Sequence, residues 1–480
     1  QVGTAIATVV RKKDHKPAET IAFRHLWGTA KRETLAATAE ADPAMIYEDI
    51  APSLPLRLQF MPADVGAGYF DWPRLPELLP SCFAGFTTSR DDFLIDTDKE
   101  RLAQRLKTYF DPKVSDSEIA KAFPAAMATQ KRFDAAKVRA TLLHRGIFTE
   151  GVMRVMYRPM DARWMYWDPD TKLLDEKRSD YLPHVHDSNL WIEARQKQTG
   201  DDFDRGYVSS RFSDSFGNGR SSFFPARLRH EGSDQWLPNL SQSVANWLQS
   251  QNVSAEDLFF HIVSTLHTPR YKADNAGALR MDWPRVPLAG QADVLEASAQ
   301  LGETVAALLD AERDVPGVSS GALLSGLVVI ALPKGKDFKL TMGWGSAQTN
   351  KNGSRIVMPG GGNTTERAWT DAERTALTAL AARHDLDLPA LLALIGEQAV
   401  DVHINAEAKW EGVPAKVWAY TLGGYQVLKK WLSYREAAVL GRALQVAAAH
   451  PVAAGGEPPA ELAMEVATAL LYLDASIEDG

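Results

Sequence analysis

Tyr157-Arg158-Pro159-Met160-Asp161-Ala162-Arg163-Trp164-Met165-Tyr166-Trp167 sets two arginines, one aspartate and four aromatic residues within eleven positions. The run before it, Gly151–Tyr157, alternates apolar and polar residues and predicts a strand. After it, the chain stays rich in aromatic residues, Arg, Ser and Asn as far as Phe224. Asp168-Pro169-Asp170 and Gly217-Asn218-Gly219 punctuate this region as turns, so it reads as strands and loops. Guanidinium groups form bidentate bonds with phosphates or guanine edges, and neighbouring aromatic rings can stack on bases. The same residues can equally form an internal Arg–Asp pair inside an aromatic cluster. Both readings stand for Arg158 and Arg163, whereas the tryptophans read as core.

Outward from this region the periodicity changes. Asp98–Tyr109 carries Leu102, Leu106 and Tyr109 on one helical side. Glu118–Leu143 reads as a helix broken near Pro124, and Ala255–Leu266 as a helix stopped before Thr268-Pro269. Asp293–Leu309 is an amphipathic helix with Val294, Ala297, Leu301, Val305 and Leu308 on its stripe. Leu324–Leu332, Phe338–Trp344 and Arg355–Met358 read as strands, and Gly360-Gly361-Gly362-Asn363 as a loop. Thr370–Arg383 and Leu388–Gln398 read as helices, and Asp401–Tyr420 as strands around Gly412 and Pro414. Tyr425–Trp431, Ala437–Ala449 and Ala460–Leu473 are helical. At the front, Val2–Arg11 and Thr20–Phe23 suggest a hairpin, Thr29–Glu40 a helix with Thr29 as N-cap, and Asp49–Pro76 a proline-rich connection. The fold class is α+β.

At 480 residues, and about 150 residues per domain, the chain suggests two to four folded units. Its 45% hydrophobic and 24% charged residues are an ordinary globular mix, which excludes collagen-like and disordered classes. A single cysteine, Cys82, excludes an intramolecular disulfide and any multi-cysteine metal site, and fits a reducing cytoplasm. The longest apolar run falls far short of the roughly 20 residues of a membrane helix, and no secretory signal opens the chain. It begins at Gln1 in a strand-like run, the expectation for a piece of a longer protein. The net charge of −8 rules out a bulk basic surface. Charge is uneven, however: Arg139–Arg229 holds 15 Lys/Arg against 13 Asp/Glu, so the rest of the chain is the acidic part.

No phosphate-binding GxxxxGK[ST] loop, GxGxxG turn or HExxH helix occurs. Gly317-Val318-Ser319-Ser320-Gly321 matches GxSxG, but a helix precedes it and a strand follows, the reverse of a nucleophile elbow. His184-Val185-His186-Asp187 lacks a third metal ligand at suitable spacing. Asp175-Glu176-Lys177 has the D-x-K spacing of some magnesium-dependent nucleases without an upstream acidic strand residue. Lys429-Lys430-Trp431-Leu432-Ser433-Tyr434-Arg435, after Gly423-Gly424-Tyr425, reads as a basic helix near a phosphate backbone or as a plain solvated face.

Several blocks in order give the chain a family likeness. They are Trp72-Pro73-Arg74-Leu75-Pro76-Glu77-Leu78, Thr88-Ser89-Arg90-Asp91-Asp92-Phe93, Tyr157–Trp164, Leu173-Leu174 and Asn189-Leu190-Trp191. Leu266-His267-Thr268-Pro269-Arg270-Tyr271, Asp282-Trp283-Pro284-Arg285-Val286-Pro287-Leu288 and Tyr420–Leu432 complete the set. In these blocks the chain resembles the C-terminal specificity region of type ISP restriction–modification enzymes, single polypeptides that join a nuclease, a helicase-like ATPase, an adenine methyltransferase and a target-recognition domain. The resemblance implies that residues 1–60 are the tail of an N6-adenine methyltransferase α/β domain. Residues 61–445 would be a mixed α/β target-recognition domain for double-stranded DNA, and 446–480 a C-terminal helical segment. It implies no catalytic residue, metal or cofactor in this chain, since the FxGxG and NPPY-type motifs and the nuclease and ATPase motifs are absent. S-adenosylmethionine, ATP and Mg²⁺ would belong to upstream domains of the same polypeptide. The DNA-contact candidates are Arg90, Arg158, Arg163, Arg211, Arg220, Lys351, Asn352, Arg355 and Lys429. Arg90 and Lys429 lie in shared blocks; Arg211–Arg220 and Lys351–Arg355 lie in polar loops between blocks, where specificity varies. The alternative from another class is a non-enzymatic protein whose 13 Trp and 12 Tyr line a carbohydrate or peptide groove.

Overall fold

The computed structural model describes residues 6–446 except positions 15, 17, 27, 39–40, 57, 64, 199–202, 204–205, 216–219, 289, 311–331, 336, 350–354, 384, 423 and 445. Helices and sheets mix as the α+β reading expected, around three hydrophobic clusters.

Two four-stranded sheets carry the aromatic region. One runs Ile95–Asp96, Asp161–Tyr166, Val152–Arg158, Phe212–Ser213. Its last pair is parallel, with Val155 opposite Phe212. The other runs Phe83–Ala84, Ser222–Pro225, Trp191–Ala194, Tyr207–Ser209, all antiparallel. The helix Lys99–Tyr109, capped by the Asp98 carboxylate, lays Leu102, Leu106 and Tyr109 against the first sheet as its period requires. The expected single break near Pro124 is wider: Asp116–Ala122, Pro124–Met127 and Ala135–Arg145 are separate helices.

Behind the second sheet, Ala255–His267 packs on Ala292–Leu309. The latter helix buries Leu295, Ala299, Gly302, Val305 and Leu309, while Val294 stays 52% exposed. Of the expected stripe, Val305 and Leu308 are buried, but the buried face turns away from Val294, Ala297 and Leu301. The cause is Gly302, where a Cβ would lie 1.8 Å from the Phe260 carbonyl oxygen. The glycine lets the two backbones close up, and that contact outweighs the larger side chains one turn away.

A third sheet, Leu332–Lys334, Lys409–Pro414, Gln398–His403, Thr364–Ala368, supports the helix pair Asp371–Arg383 and Leu388–Ile395. The hairpin Gly345–Thr349/Arg355–Pro359 seats its base on the helix Val427–Arg435, because a Cβ on Gly345 would meet the Ser433 carbonyl oxygen at 2.1 Å.

Other expectations fail in specific ways. Ile21–Phe23 pairs with Glu48–Ile50, and residues 6–11 form no strand, so the expected hairpin is absent among the described residues. The first helix, Lys31–Ala37, is preceded by Ala30 with no side-chain cap; Thr29 does not cap it. Phe338–Trp344 is irregular: Glu436 Oε2 takes the Gly343 and Trp344 amides at 3.0 and 2.9 Å, and the ladder positions are lost. After Lys409–Pro414 the chain turns into the short helix Ala415–Ala419 where a strand was expected. Most of Leu324–Leu332 and all of Ala460–Leu473 lie outside the described residues.

Candidate nucleic-acid interface

The eleven-residue stretch folds into the hairpin Val152–Arg158/Asp161–Tyr166, turned by Met160 at φ 60°. Asp161 is 2% exposed. It accepts two bonds from Arg163, at 3.1 and 2.7 Å, and one from Arg435 at 2.9 Å. Burial alone would raise its pKa, but the two guanidiniums more than reverse this and hold the carboxyl well below its usual range. Arg163 also lies over the Tyr157 ring at 4.3 Å, and Arg435 over Trp431 at 4.0 Å. Arg158 bonds Asp214 at 3.0 Å and the Tyr434 hydroxyl at 3.3 Å, and Tyr157 donates to Asp91 at 2.8 Å. The network clamps the helix Val427–Arg435 onto this hairpin. Between the two readings of Arg158 and Arg163, their geometry is that of the internal pair.

Arg90 is likewise turned inward. Its guanidinium bonds the Thr88 and Leu173 carbonyls at 3.0 Å each and lies 3.3 Å from the Phe133 ring centroid. Burial draws its pKa down to about 10, with Asp175 opposing, so it remains a cation at neutral pH. Arg211 is half-buried and reaches the exposed Asp187 at 2.5 Å. Arg220 is exposed at φ 67°. Arg355 pairs with Thr349 at the far end of the hairpin; Lys351 and Asn352 lie outside the described residues. Lys429 is half-buried on the helix that seats this hairpin. Among the described residues the tryptophans do not gather in a groove: Trp167, Trp191, Trp344, Trp369, Trp410 and Trp431 are buried, and Trp72, Trp164, Trp247, Trp283 and Trp418 pack on the core.

Three distant segments meet at a pocket of about 410 Å³ lined by Ala84, Thr87, Asp175, Glu176, Arg178, Ser215, Arg220, Ser221 and Ser222. Its floor depends on Gly85, whose Cβ would lie 2.5 Å from the Ser215 amide. Phe86 bonds Ser213 and Ser215 through its backbone at 3.0 and 2.8 Å, and Thr87 exchanges two bonds with Glu176 at 3.0 and 2.9 Å. Arg178 (φ 53°) donates through Nε to the Gly85 carbonyl at 3.0 Å. Below the rim, Ser221 donates to Glu193 at 2.5 Å. Glu193 is 3% exposed, and burial pushes its pKa up to about 7 against that bond and the nearby Arg195. Sequence reading missed Arg178 and Glu193. Asp175 and Glu176 of the D-x-K triplet line this pocket, and among the described residues no group of three His, Cys, Asp or Glu side chains could hold a metal ion.

A family model described as the type ISP C-terminal specificity domain matches residues 77–453. The chain belongs to this family. Three solved structures share its fold over 94% of its length. A nuclease-deletion mutant of the type ISP restriction–modification enzyme LlaGI, in complex with a DNA substrate mimic, has a TM-score of 0.52 at 13% identity, with 37% of that chain covered. A DrdV–DNA complex gives 0.54 at 14% identity with 42% covered. The ATP-dependent type ISP restriction–modification enzyme LlaBIII, bound to DNA, gives 0.55 at 14% identity with 26% covered. The chain therefore spans less than half the length of each. No curated protein matches it in sequence. No described helix is long and apolar enough to cross a membrane.

Proposed function

We propose that this chain is the DNA target-recognition region of a restriction–modification enzyme and positions duplex DNA for N6-adenine methylation and restriction by upstream domains. The carrying observation is the specificity-domain match over 77–453, joined to a fold shared with enzymes described as DNA-bound. In this reading 61–445 recognises DNA, 1–60 closes the methyltransferase domain, and 446–480 is a C-terminal segment. Surface chemistry supports the assignment of 1–60. Most of the exposed large hydrophobic side chains fall between Ile6 and Met61, including Ile6 at 84% and Val9 at 89%. A neighbouring domain would cover them.

Arg211, Arg220, Lys351, Asn352, Arg355 and Lys429 remain the proposed DNA contacts. Arg90, Arg158 and Arg163 serve recognition by holding the scaffold rigid. Side chains on loops would read base edges while other cations clamp phosphates. Holding the duplex in register helps offset the few kcal/mol needed to swing an adenine out of the stack. S-adenosylmethionine, ATP and Mg²⁺ belong to the upstream domains in this proposal, and a cytoplasmic location goes with it. The test is a salt titration of duplex binding: affinity should fall steeply and linearly on logarithmic axes. Salt-independent binding, or binding of oligosaccharide or peptide in its place, would overturn it and favour the aromatic-groove alternative.

A further inference from the structure

We propose that the pocket between Ala84–Thr87, Asp175–Arg178 and Ser215/Arg220–Ser222 holds a phosphodiester group of one DNA strand between the guanidiniums of Arg178 and Arg220. The assignment rests on the recognition reading above and names a contact for it.

Charge decides the ligand class. Both carboxylates on the pocket wall have partners outside it. Glu176 takes Arg132 at 3.1 Å, and Asp175 takes the Ser89 hydroxyl at 3.2 Å while lying in the field of Arg90. Arg178 and Arg220 have no ion pair among the described residues. Arg178 uses Nε on the Gly85 carbonyl, which leaves its two terminal nitrogens for the pocket. Thr87, Ser215 and Ser222 add hydroxyl donors around the same space. Two unmatched guanidiniums among hydroxyls suit an anion with several acceptor oxygens, the geometry of an arginine fork on phosphate.

The backbone supports a built site. Arg178 and Arg220 both lie in the left-handed region, at φ 53° and 67°. Branched and long side chains seldom adopt it, and such residues gather at functional sites. Each is held there by its surroundings. The Arg178 carbonyl takes the Tyr181 and Leu182 amides at 3.0 and 3.1 Å, and the Arg220 amide donates to Ser215 at 2.7 Å. Gly85 brings the floor close enough for Arg178 to be anchored. Among the described residues that line the pocket none carries an aromatic ring, and two guanidiniums among hydroxyls suit a backbone phosphate.

The experiment measures binding of the 480-residue chain to several duplexes of different sequence across a salt series. Arg220→Ala removes an exposed side chain with no side-chain hydrogen bond or ion pair among the described residues, so folding should be retained, checked by the unfolding midpoint. It should weaken every duplex several-fold and lower the slope of log affinity against log salt by about one. Arg178→Lys keeps the charge and loses the fork; it should keep the slope and weaken all duplexes alike. Sequence-selective loss with an unchanged slope would make these arginines base readers and overturn the proposal, as would no change in either variant. If ³¹P line broadening shows arginine-dependent binding of inorganic phosphate while both variants keep full duplex affinity, the pocket takes a free phosphate and the strand assignment falls. A wild-type chain that binds no duplex overturns the recognition reading and this assignment together.

Discussion

Replacing Asp161 by alanine should destabilise the chain by about 3–5 kcal/mol, the usual cost of removing one partner from a buried ion pair. The structure places the estimate at the upper end. Asp161 compensates two guanidiniums at once, and Arg435, at 0% side-chain exposure, and Arg163, at 8%, cannot reach water to recover their solvation. Without the carboxylate, two adjacent cations would face each other between the hairpin Val152–Arg158/Asp161–Tyr166 and the helix Val427–Arg435. The assay is urea unfolding followed by tryptophan fluorescence, since Trp431 packs against the Arg435 guanidinium. The triple replacement Asp161→Leu, Arg163→Met, Arg435→Met removes all three charges and should recover most of the loss, because no uncompensated charge remains. Because the carboxyl is held below its usual range, its contribution is complete above about pH 4 and fades only as pH falls through the folded value. An Asp161→Ala chain within 1 kcal/mol of wild type at pH 7 would refute the reasoning, as would a triple variant less stable than the single one.

Glu193 titrates in the opposite sense: its folded pKa of about 7 lies above its ordinary 4.5, so the stability tied to its proton is present in acid and lost as pH rises between those values. That loss is on the order of 3 kcal/mol, and Glu193→Gln should flatten the pH dependence of unfolding from pH 5 to 8; an unchanged profile would count against the burial argument. Gly302→Ala forces a methyl onto the Phe260 carbonyl and should cost about 1–3 kcal/mol by parting two helices, read as a lower melting midpoint by circular dichroism. Arg355→Ala in the whole enzyme should cost about 1–3 kcal/mol of binding and relax one position of the recognised site if it reads a base, scored by sequencing selected sites. Uniform weakening would make it a phosphate contact, and no change would remove it from the interface.

Local chemistry was legible in the sequence. Asp98 and the apolar spacing of Leu102, Leu106 and Tyr109 determine the helix Lys99–Tyr109 without help from elsewhere, and its bounds fall within one residue of expectation. The ordered blocks from Trp72 to Leu432 pointed to the family that the specificity-domain match over 77–453 shows. The surroundings of each arginine were decided only by the tertiary structure. Arg163 and Arg220 look alike in a sequence. One is fixed by Asp161, which Arg435 also grips from 274 positions along the chain, and the other stands at the rim of a pocket built from three separated segments. Pairing, burial and backbone strain are properties of what surrounds a side chain. In this chain those surroundings come from long-range contacts: Gly85 against Ser215, Gly302 against Phe260, and Arg435 against Asp161.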